Sequence, residues 1–450
     1  MRRGLLPSRL SLIAQNREEY GLRYLGLRFL SRSRRAAAKA ERAALLAALA
    51  PVAQWTAHDT KLHLGPLAPG CRHCVAGGWS CLFVNGRCNA ACSYCPTPQD
   101  KVDLPGTNHL SFRRPADYAA YLRHFGFTGA SASGGEPLLT PNRTLAFLRA
   151  MRAALGDSGH LWLYTNGILL TRDLARQLRE VGLDEIRLDI GATGYRLDRL
   201  KEVAGIIPTL TVEIPLVPDE ETRLAGLLRP LAEEGVQHLN LHQLRLTPHN
   251  YRHLADRGFR FLHGERITVL ESELGALRLM QQAADQAMPL AINYCSYVFK
   301  SRHQGAAARQ RAARVLCQPW EAVTEAGYLR RVALMGAPEA LAKAAARLRQ
   351  RGTDPRWLWD ADTQPLALHP ELLPGLPLRG LHLLVGYDEA RQRQATSAAA
   401  PLDFGLTPVR FERVTCRPLT PVRPAALRDL TAVSGCVPWE IVPTGLQEYF

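Results

Sequence analysis

The stretch CLFVNGRCNAACSYCP, residues 81–96, joins an apolar β-type run to three closely spaced cysteines. Cys88, Cys92 and Cys95 follow a C-x3-C-x2-C spacing. Four thiolates complete the ligand set of a zinc ion or an iron–sulfur cluster, whereas three leave one metal position open. The spacing therefore predicts a cluster with one iron free to accept another ligand.

The same pattern of an apolar run followed by an amphipathic stretch recurs along the chain. The β-type runs are 81–86, 125–135, 160–167, 185–191, 209–217, 238–244 and 290–296. Helix-like segments separate them at 115–123, 141–154, 171–181, 196–204, 219–234 and 271–287. Alternation of this kind favours a parallel sheet with right-handed crossovers. We therefore predict an α/β fold with a partial (β/α)6-type barrel.

Polar or glycine residues follow several of these runs, where the chemistry of such barrels is found. They include SGGEP at 133–137, YTNG at 164–167, LDIG at 188–191 and HLNLHQL at 238–244. Arg187 and Glu213 lie on neighbouring predicted strands, and we expect them to pair inside the barrel. These strand ends are the candidate site.

Together with Tyr94, the cysteine spacing after the first β-type run resembles the radical S-adenosylmethionine (SAM) superfamily. The resemblance implies that Cys88, Cys92 and Cys95 hold a [4Fe–4S] cluster whose open iron binds SAM. One electron then cleaves SAM and releases a 5′-deoxyadenosyl radical that abstracts hydrogen from a C–H bond. It also implies an external one-electron donor of the flavodoxin or ferredoxin type.

The remaining motifs resemble the SAM pocket of this superfamily. The resemblance assigns the methionine part of SAM to Gly134, Gly135 and Glu136, and the rest of the pocket to Thr165, Asn166, Asp189 and His242. Pyruvate formate-lyase activating enzymes carry a lysine two residues after the aspartate, where this chain has Gly191. Part of the contact that these two residues make with SAM in those enzymes must therefore be replaced or absent in this chain. A polar group satisfied at a strand end is an equally good explanation for the last four residues.

A second group of cysteines surrounds the first. Cys71 and Cys74 form a C-x2-C pair in GCRHC, and Cys295 ends a late β-type run in INYCS. We expect these three to bind a second metal, an iron–sulfur cluster or zinc, with Cys81 or Cys317 as a fourth ligand. Free buried thiols are the alternative. Cys416 and Cys436 are expected to be core residues.

These segments together resemble a largely archaeal group related to pyruvate formate-lyase activating enzymes. The likeness covers residues 65–315 and favours a peptide or protein substrate. An RNA base and a small metabolite are the alternatives. The formal net charge of +15 favours the RNA alternative. Outside enzymology, six clustered cysteines could build a zinc-ribbon-like nucleic-acid-binding protein.

The composition of the 450 residues is globular, with 46% hydrophobic and 22% charged residues. No run of 18 apolar residues predicts a membrane span, and no signal-peptide pattern opens the chain, so a cytoplasmic location is expected. We divide the chain into a helical N-terminal extension (1–65), the barrel with its cysteine-rich entry (66–315) and a C-terminal helical and α+β region (316–450).

Overall fold

The structure is a computed structural model that describes residues 9–108, 110–352, 354–360, 365–394, 402–404, 407–423, 430 and 435–450. Residues 1–8 of the expected N-terminal extension therefore lie outside the described residues. The chain divides into two compact units. The larger consists mainly of residues 8–304 and 444–450, and the smaller mainly of residues 305–402 and 409–443.

The larger unit is built on strands and helices in alternation. Its strands are β1 (Ala53–Thr56), β2 (Lys61–Leu64), β3 (Trp79–Arg87), β4 (Asp100–Lys101), β5 (Gly106–Thr107), β6 (Leu110–Ser111), β7 (Gly129–Gly134), β8 (His160–Thr165), β9 (Glu185–Leu188), β10 (Thr209–Pro215), β11 (His238–His242), β12 (Phe261–Leu262), β13 (Thr268–Val269) and β14 (Ala291–Cys295). Its helices are α1 (Arg9–Tyr20), α2 (Arg32–Leu49), α3 (Pro69–Val75), α4 (Pro115–His124), α5 (Pro141–Leu155), α6 (Arg172–Glu180), α7 (Glu221–Glu233), α8 (Tyr251–Leu254) and α9 (Leu270–Asp285).

Seven parallel strands form the centre of the main sheet, in the order β3-β7-β8-β9-β10-β11-β14. Each new strand pairs beside the previous one, as successive crossovers of one hand require. The sheet stays open, because β14 pairs next with antiparallel β2 and β3 pairs next with antiparallel β5. This partial barrel confirms the predicted fold class.

The predicted elements match the observed ones closely, with two differences. The segment 196–204 forms only a short 3-10 helix, Asp198–Glu202, and residues at positive φ, Tyr195 before it and Gly205 after it, interrupt a helical course on both sides. The N-terminal region, expected to be helical up to residue 65, ends instead in strands β1 and β2. The structure thus attaches residues 53–64 to the sheet.

The N-terminal helices pack on the larger unit. On α1, the Asn16 amide donates to the Gly264 carbonyl at 3.1 Å. On α2, Arg42 forms an ion pair with buried Glu273 of α9 at 3.1 Å, and its guanidinium lies 4.0 Å from the Tyr449 ring centroid. These contacts explain how basic helical segments become part of a folded core. None of the described helices has the length and apolarity to cross a membrane.

The smaller unit is an α+β structure. It contains α10 (Gly305–Leu316), β15 (Glu321–Val323), β16 (Leu329–Gly336), α11 (Pro338–Gln350), β17 (Trp357–Leu358), β18 (Leu366–Leu368), β19 (Leu381–Gln394), β20 (Leu402–Phe404), β21 (Thr407–Val422) and α12 (Val437–Glu440). Its strands lie in the order β17-β18-β16-β19-β21-β20, with β15 beside β16, and the pairs from β17 to β21 are antiparallel. The apolar side of α11, including Leu341 and Leu348, packs on Leu334 and Val385 of this sheet.

Candidate active site

A cavity of about 550 Å³ lies in the larger unit at the carboxyl ends of the parallel strands. Of the residues predicted for the site, the cavity is lined by Cys71, Cys74, Cys88, Cys92, Tyr94, Cys95, Gly134, Gly135, Thr165, Asn166, Asp189, His242 and Cys295. Side chains from many separate parts of the sequence therefore meet in one place, which is what a strand-end site requires.

The loop after β3 carries the three spaced cysteines. The Cys95 amide donates to the Cys92 carbonyl at 3.0 Å, which closes a tight turn between the last two cysteines. The Cys88 sulfur accepts from the Ala90 amide at 3.4 Å and from the Asn166 side chain at 3.5 Å. Burial, with the negative charge of nearby Asp189, raises the pKa of Cys92 to about 12. Since a thiolate here needs a positive partner, the loop suits a metal-bound cluster.

Two glycines let the backbone of β7 approach that loop. A Cβ at Gly134, whose φ is +136°, would collide with the Asn85 carbonyl oxygen, and one at Gly135 would collide with the Arg87 carbonyl. The Gly135 amide donates to the Asn85 carbonyl at 2.8 Å. These contacts explain the glycine pair at this strand end and leave its backbone facing the cavity.

Glu136 makes its hydrogen bonds within the protein. The residue is 1% exposed and is not among those that line the cavity. Its carboxylate accepts from the Thr165 hydroxyl and the Asn166 amide, both at 2.7 Å, and from the Leu138 amide at 2.9 Å. Glu136 therefore ties the end of β8 to the end of β7, and Asn166 in turn donates to Asn89 at 2.8 Å.

Asp189 is held by the cysteine loop itself. The Tyr94 hydroxyl donates to Asp189 Oδ1 at 2.7 Å, and the Gly191 amide donates to the same oxygen at 3.0 Å. Burial raises the pKa of Asp189 to about 6. A Cβ at Gly191 would lie 2.5 Å from the Tyr94 hydroxyl, so the glycine at this position gives Tyr94 room to reach Asp189.

A chain of charged side chains crosses the barrel interior beneath these groups. Arg187 donates to Glu185 at 2.7 Å and to Glu213 at 2.6 Å, which confirms the expected Arg187–Glu213 pair. Glu213 accepts from His242 Nε2 at 2.7 Å, and Lys300 Nζ lies 3.0 Å from His242 Nδ1. Burial, with the nearby Lys300, lowers the pKa of His242 to about 4. His242 is therefore neutral at physiological pH, with Nε2 as its donor.

Sequence reasoning missed several residues of this cavity. Lys61 lines it from β2, a strand in the segment expected to be helical. Lys300 lines it from the π-helical turn Phe299–Gln304. No local pattern marks either residue, because only strand pairing and chain reversal bring them to the site.

Comparison with known proteins assigns the family. The model of the radical SAM superfamily matches residues 82–214. A protein of Methanocaldococcus jannaschii that is provisionally named a glycyl-radical enzyme activating enzyme is 30% identical over 278 residues, which are 59% of this chain and 72% of that protein.

Other similarities are partial. A GTP 3′,8-cyclase of Parasynechococcus marenigrum is 35% identical over 128 residues, 26% of this chain and 35% of the cyclase. The crystal structure of Streptococcus suis SuiB overlaps 48% of each chain with 11% identity and a TM-score of 0.34, which is too low to support an assignment. The match to the archaeal protein, over most of its length, is sufficient: the chain belongs to the radical SAM superfamily and to its group related to pyruvate formate-lyase activating enzymes.

Proposed function

We propose that this radical SAM enzyme binds its [4Fe–4S] cluster through Cys88, Cys92 and Cys95. SAM and such a cluster are the cofactors of the family. The observation that carries the proposal is that the three thiols and the polar ends of β7, β8 and β9 line one cavity. Soft thiol donors on a half-buried loop fit an iron–sulfur cluster. When bound, the cluster supplies the electron that cleaves the sulfonium C–S bond of SAM.

The residues of the chain would hold and orient the cofactors. The bare backbone at Gly134 and Gly135 allows the methionine part of SAM to approach closely. Asp189, fixed by Tyr94 and the Gly191 amide, offers its other carboxylate oxygen to ligand hydroxyl or ammonium groups. Thr165 and Asn166, tied down by Glu136, shape the wall beside Cys88. We place Glu136 as a positioning residue, since its oxygens already have protein donors.

For the substrate we propose a peptide or protein, from which the enzyme abstracts hydrogen. The name of the archaeal relative, which refers to activation of a glycyl-radical enzyme, supports this class. An RNA substrate is the second candidate, because of the net charge of +15. Binding of an RNA substrate would weaken steeply with added salt, whereas a peptide held in the cavity would depend on salt much less.

The experiment is anaerobic reconstitution with iron and sulfide, followed by assay of 5′-deoxyadenosine formation from SAM with dithionite. A flavodoxin- or ferredoxin-type protein can then replace dithionite. Cys92→Ala should abolish 5′-deoxyadenosine formation and lower the iron content. Cys416→Ala is the matched control, since this thiol lies in the smaller unit and donates to the Val414 carbonyl at 3.6 Å. If the Cys92→Ala protein still cleaves SAM, the cluster assignment is wrong.

A further inference from the structure

Three more thiols line the same cavity, from elements other than the β3 loop. Cys71 and Cys74 lie on α3, and Cys295 ends β14. Residues three apart on a helix share a face, so α3 presents both thiols together. The Gly70 amide of α3 donates to the Glu185 carboxylate at 2.8 Å, which anchors this helix to the inside of the sheet.

The surroundings of these thiols are polar and closed. The Asn240 amide donates to the Cys71 sulfur at 3.4 Å, and the Gln304 amide donates to the Cys74 sulfur. Cys71 is 4% exposed and Cys295 is 6% exposed. Thiolates bound to a metal commonly accept hydrogen bonds from amide groups, and these bonds adjust the reduction potential of the metal.

A buried cation, Lys61, lines the same cavity as the three thiols. Lys61 pairs in register with Cys295 across β2 and β14, and it is 1% exposed. Its ammonium lies 4.4 Å from the Phe299 ring centroid, and no carboxylate in the described part of the chain forms an ion pair with it. A buried ammonium without a charge partner is strongly unfavourable. Metal-bound thiolates would supply the missing negative charge.

We propose that Cys71, Cys74 and Cys295 bind a second iron–sulfur cluster in this cavity. An iron–sulfur cluster distributes its thiolates over separate iron atoms, so its ligands need not converge on one metal ion. Each iron–sulfur bond that forms replaces an S–H bond, and the proton is released to water.

Three protein thiolates again leave one position for another ligand. Cys81 of β3 also lines the cavity and is the candidate within the larger unit, whereas Cys317 follows α10 in the smaller unit. The choice between a fourth cysteine and an open iron decides whether the second cluster can bind a substrate directly. If Cys81 is the fourth ligand, the Cys81→Ala protein should hold less iron per chain than the wild type, whereas an open iron predicts unchanged iron.

The test uses the full chain in which Cys88, Cys92 and Cys95 are all replaced by alanine. After anaerobic reconstitution, this protein should keep about half of the wild-type iron and acid-labile sulfide and an iron–sulfur absorbance. Adding Cys74→Ala should remove that remainder, and adding Cys416→Ala should not. If the triple variant is folded by circular dichroism and holds no iron, the second cluster is disproved.

A second measurement covers the case in which the triple variant does not fold. In the otherwise wild-type chain, Cys74→Ala should lower iron and sulfide by about half while SAM still binds. Lys61→Met should shift one of two reduction potentials to a more negative value, since a nearby positive charge stabilises the reduced cluster. Unchanged iron content in Cys74→Ala would overturn the proposal. Loss of SAM cleavage alone would bear only on the first cluster.

Discussion

Gly191 lies where the resemblance to pyruvate formate-lyase activating enzymes predicts a lysine, and the structure shows what occupies the space beside it. The space next to it holds the Tyr94 hydroxyl, which donates to Asp189 at 2.7 Å. Tyr94 lies between Cys92 and Cys95, so one side chain connects the cysteine loop to the end of β9. In this chain a tyrosine of the cysteine loop therefore occupies the space that a longer side chain at position 191 would need.

Tyr94→Phe tests this connection. Without the hydroxyl, Asp189 loses the donor that fixes its orientation, and we expect SAM to bind about tenfold more weakly, or roughly 1.4 kcal/mol. Iron content should stay at the wild-type value, because Tyr94 is not a ligand. Equilibrium binding of SAM to the reconstituted protein measures the effect.

The control for this variant is Tyr251→Phe, whose hydroxyl donates to the Arg23 carbonyl at 2.9 Å on an exposed part of the larger unit. It should bind SAM as the wild type does. Equal SAM affinity in the Tyr94→Phe and Tyr251→Phe proteins would show that Asp189 is oriented by other groups.

Arg187 is the central charge of the barrel interior. Its partners Glu185 and Glu213 are buried carboxylates. Burial favours the neutral acid, yet Arg187 and His160 outweigh it and lower the pKa of Glu185 to about 2. Both carboxylates are therefore ionised at neutral pH and depend on this guanidinium.

Arg187→Met should destabilise the protein by about 3–5 kcal/mol, because it leaves buried charges without compensation. Denaturant unfolding at pH 7 measures this loss. Arg176→Met is the matched control, because the ion pair of Arg176 with Asp173 is exposed. This substitution should lower the free energy of unfolding by less than about 1 kcal/mol. Losses of the same size in both proteins would contradict a special role for the interior pair.

At the scale of elements, the short hairpin β12–β13 and the N-terminal helices form one packed layer. His263, just after β12, stacks on Phe29 with ring centroids 3.9 Å apart. Its Nδ1 lies 3.2 Å from Asn16 Oδ1, and its Nε2 lies 3.3 Å from the Tyr24 hydroxyl. Burial, with Arg17 and Arg35 nearby, lowers the pKa of His263 to about 4.

This histidine predicts a pH dependence of stability. Between about pH 6.5 and 4 the unfolded chain binds a proton at His263 that the folded chain does not. Stability should therefore fall as the pH drops through this window, by about 3 kcal/mol in total from this group. The contribution is absent above pH 6.5.

In His263→Gln, the fall in urea midpoint between pH 6.5 and 4 should be smaller than in the wild type, whatever its stability at pH 7. His253→Gln, at an exposed position of α8, should show the same fall in urea midpoint between pH 6.5 and 4 as the wild type. A His263→Gln protein with an unchanged slope would show that other groups set the acid sensitivity.

At the scale of the whole molecule, each of the two units has its own interior. The smaller unit contains a separate apolar cluster built from α11 and its antiparallel sheet, with Leu341 fully buried in it. Units with separate cores often unfold in separate transitions. We therefore expect two transitions in calorimetry of the full chain.

Leu341→Ala should lower one of these transitions and leave the other in place. Truncation of a fully buried leucine costs about 2–5 kcal/mol, whereas Leu358→Ala, 52% exposed on β17, should change little. SAM cleavage should persist in both proteins below the first transition. A single transition that moves as a whole would show that the units unfold together.

The sequence by itself determined the fold class and most of the candidate site. Periodicity of apolar residues is a local property, so the parallel strands and most of the helices between them could be predicted from it. The carboxyl ends of such strands must meet at one edge. The polar and glycine residues at those ends, together with the spaced cysteines, could therefore be placed at one site from the sequence.

Only the tertiary structure decided which groups touch. Lys61 reaches the cavity because β2 pairs with β14, Glu136 accepts hydrogen bonds from the end of β8, and Tyr94 takes the space beside Gly191. Each of these contacts joins segments that are far apart in the chain. No local pattern encodes them, because packing in the folded interior selects one partner for each buried polar group.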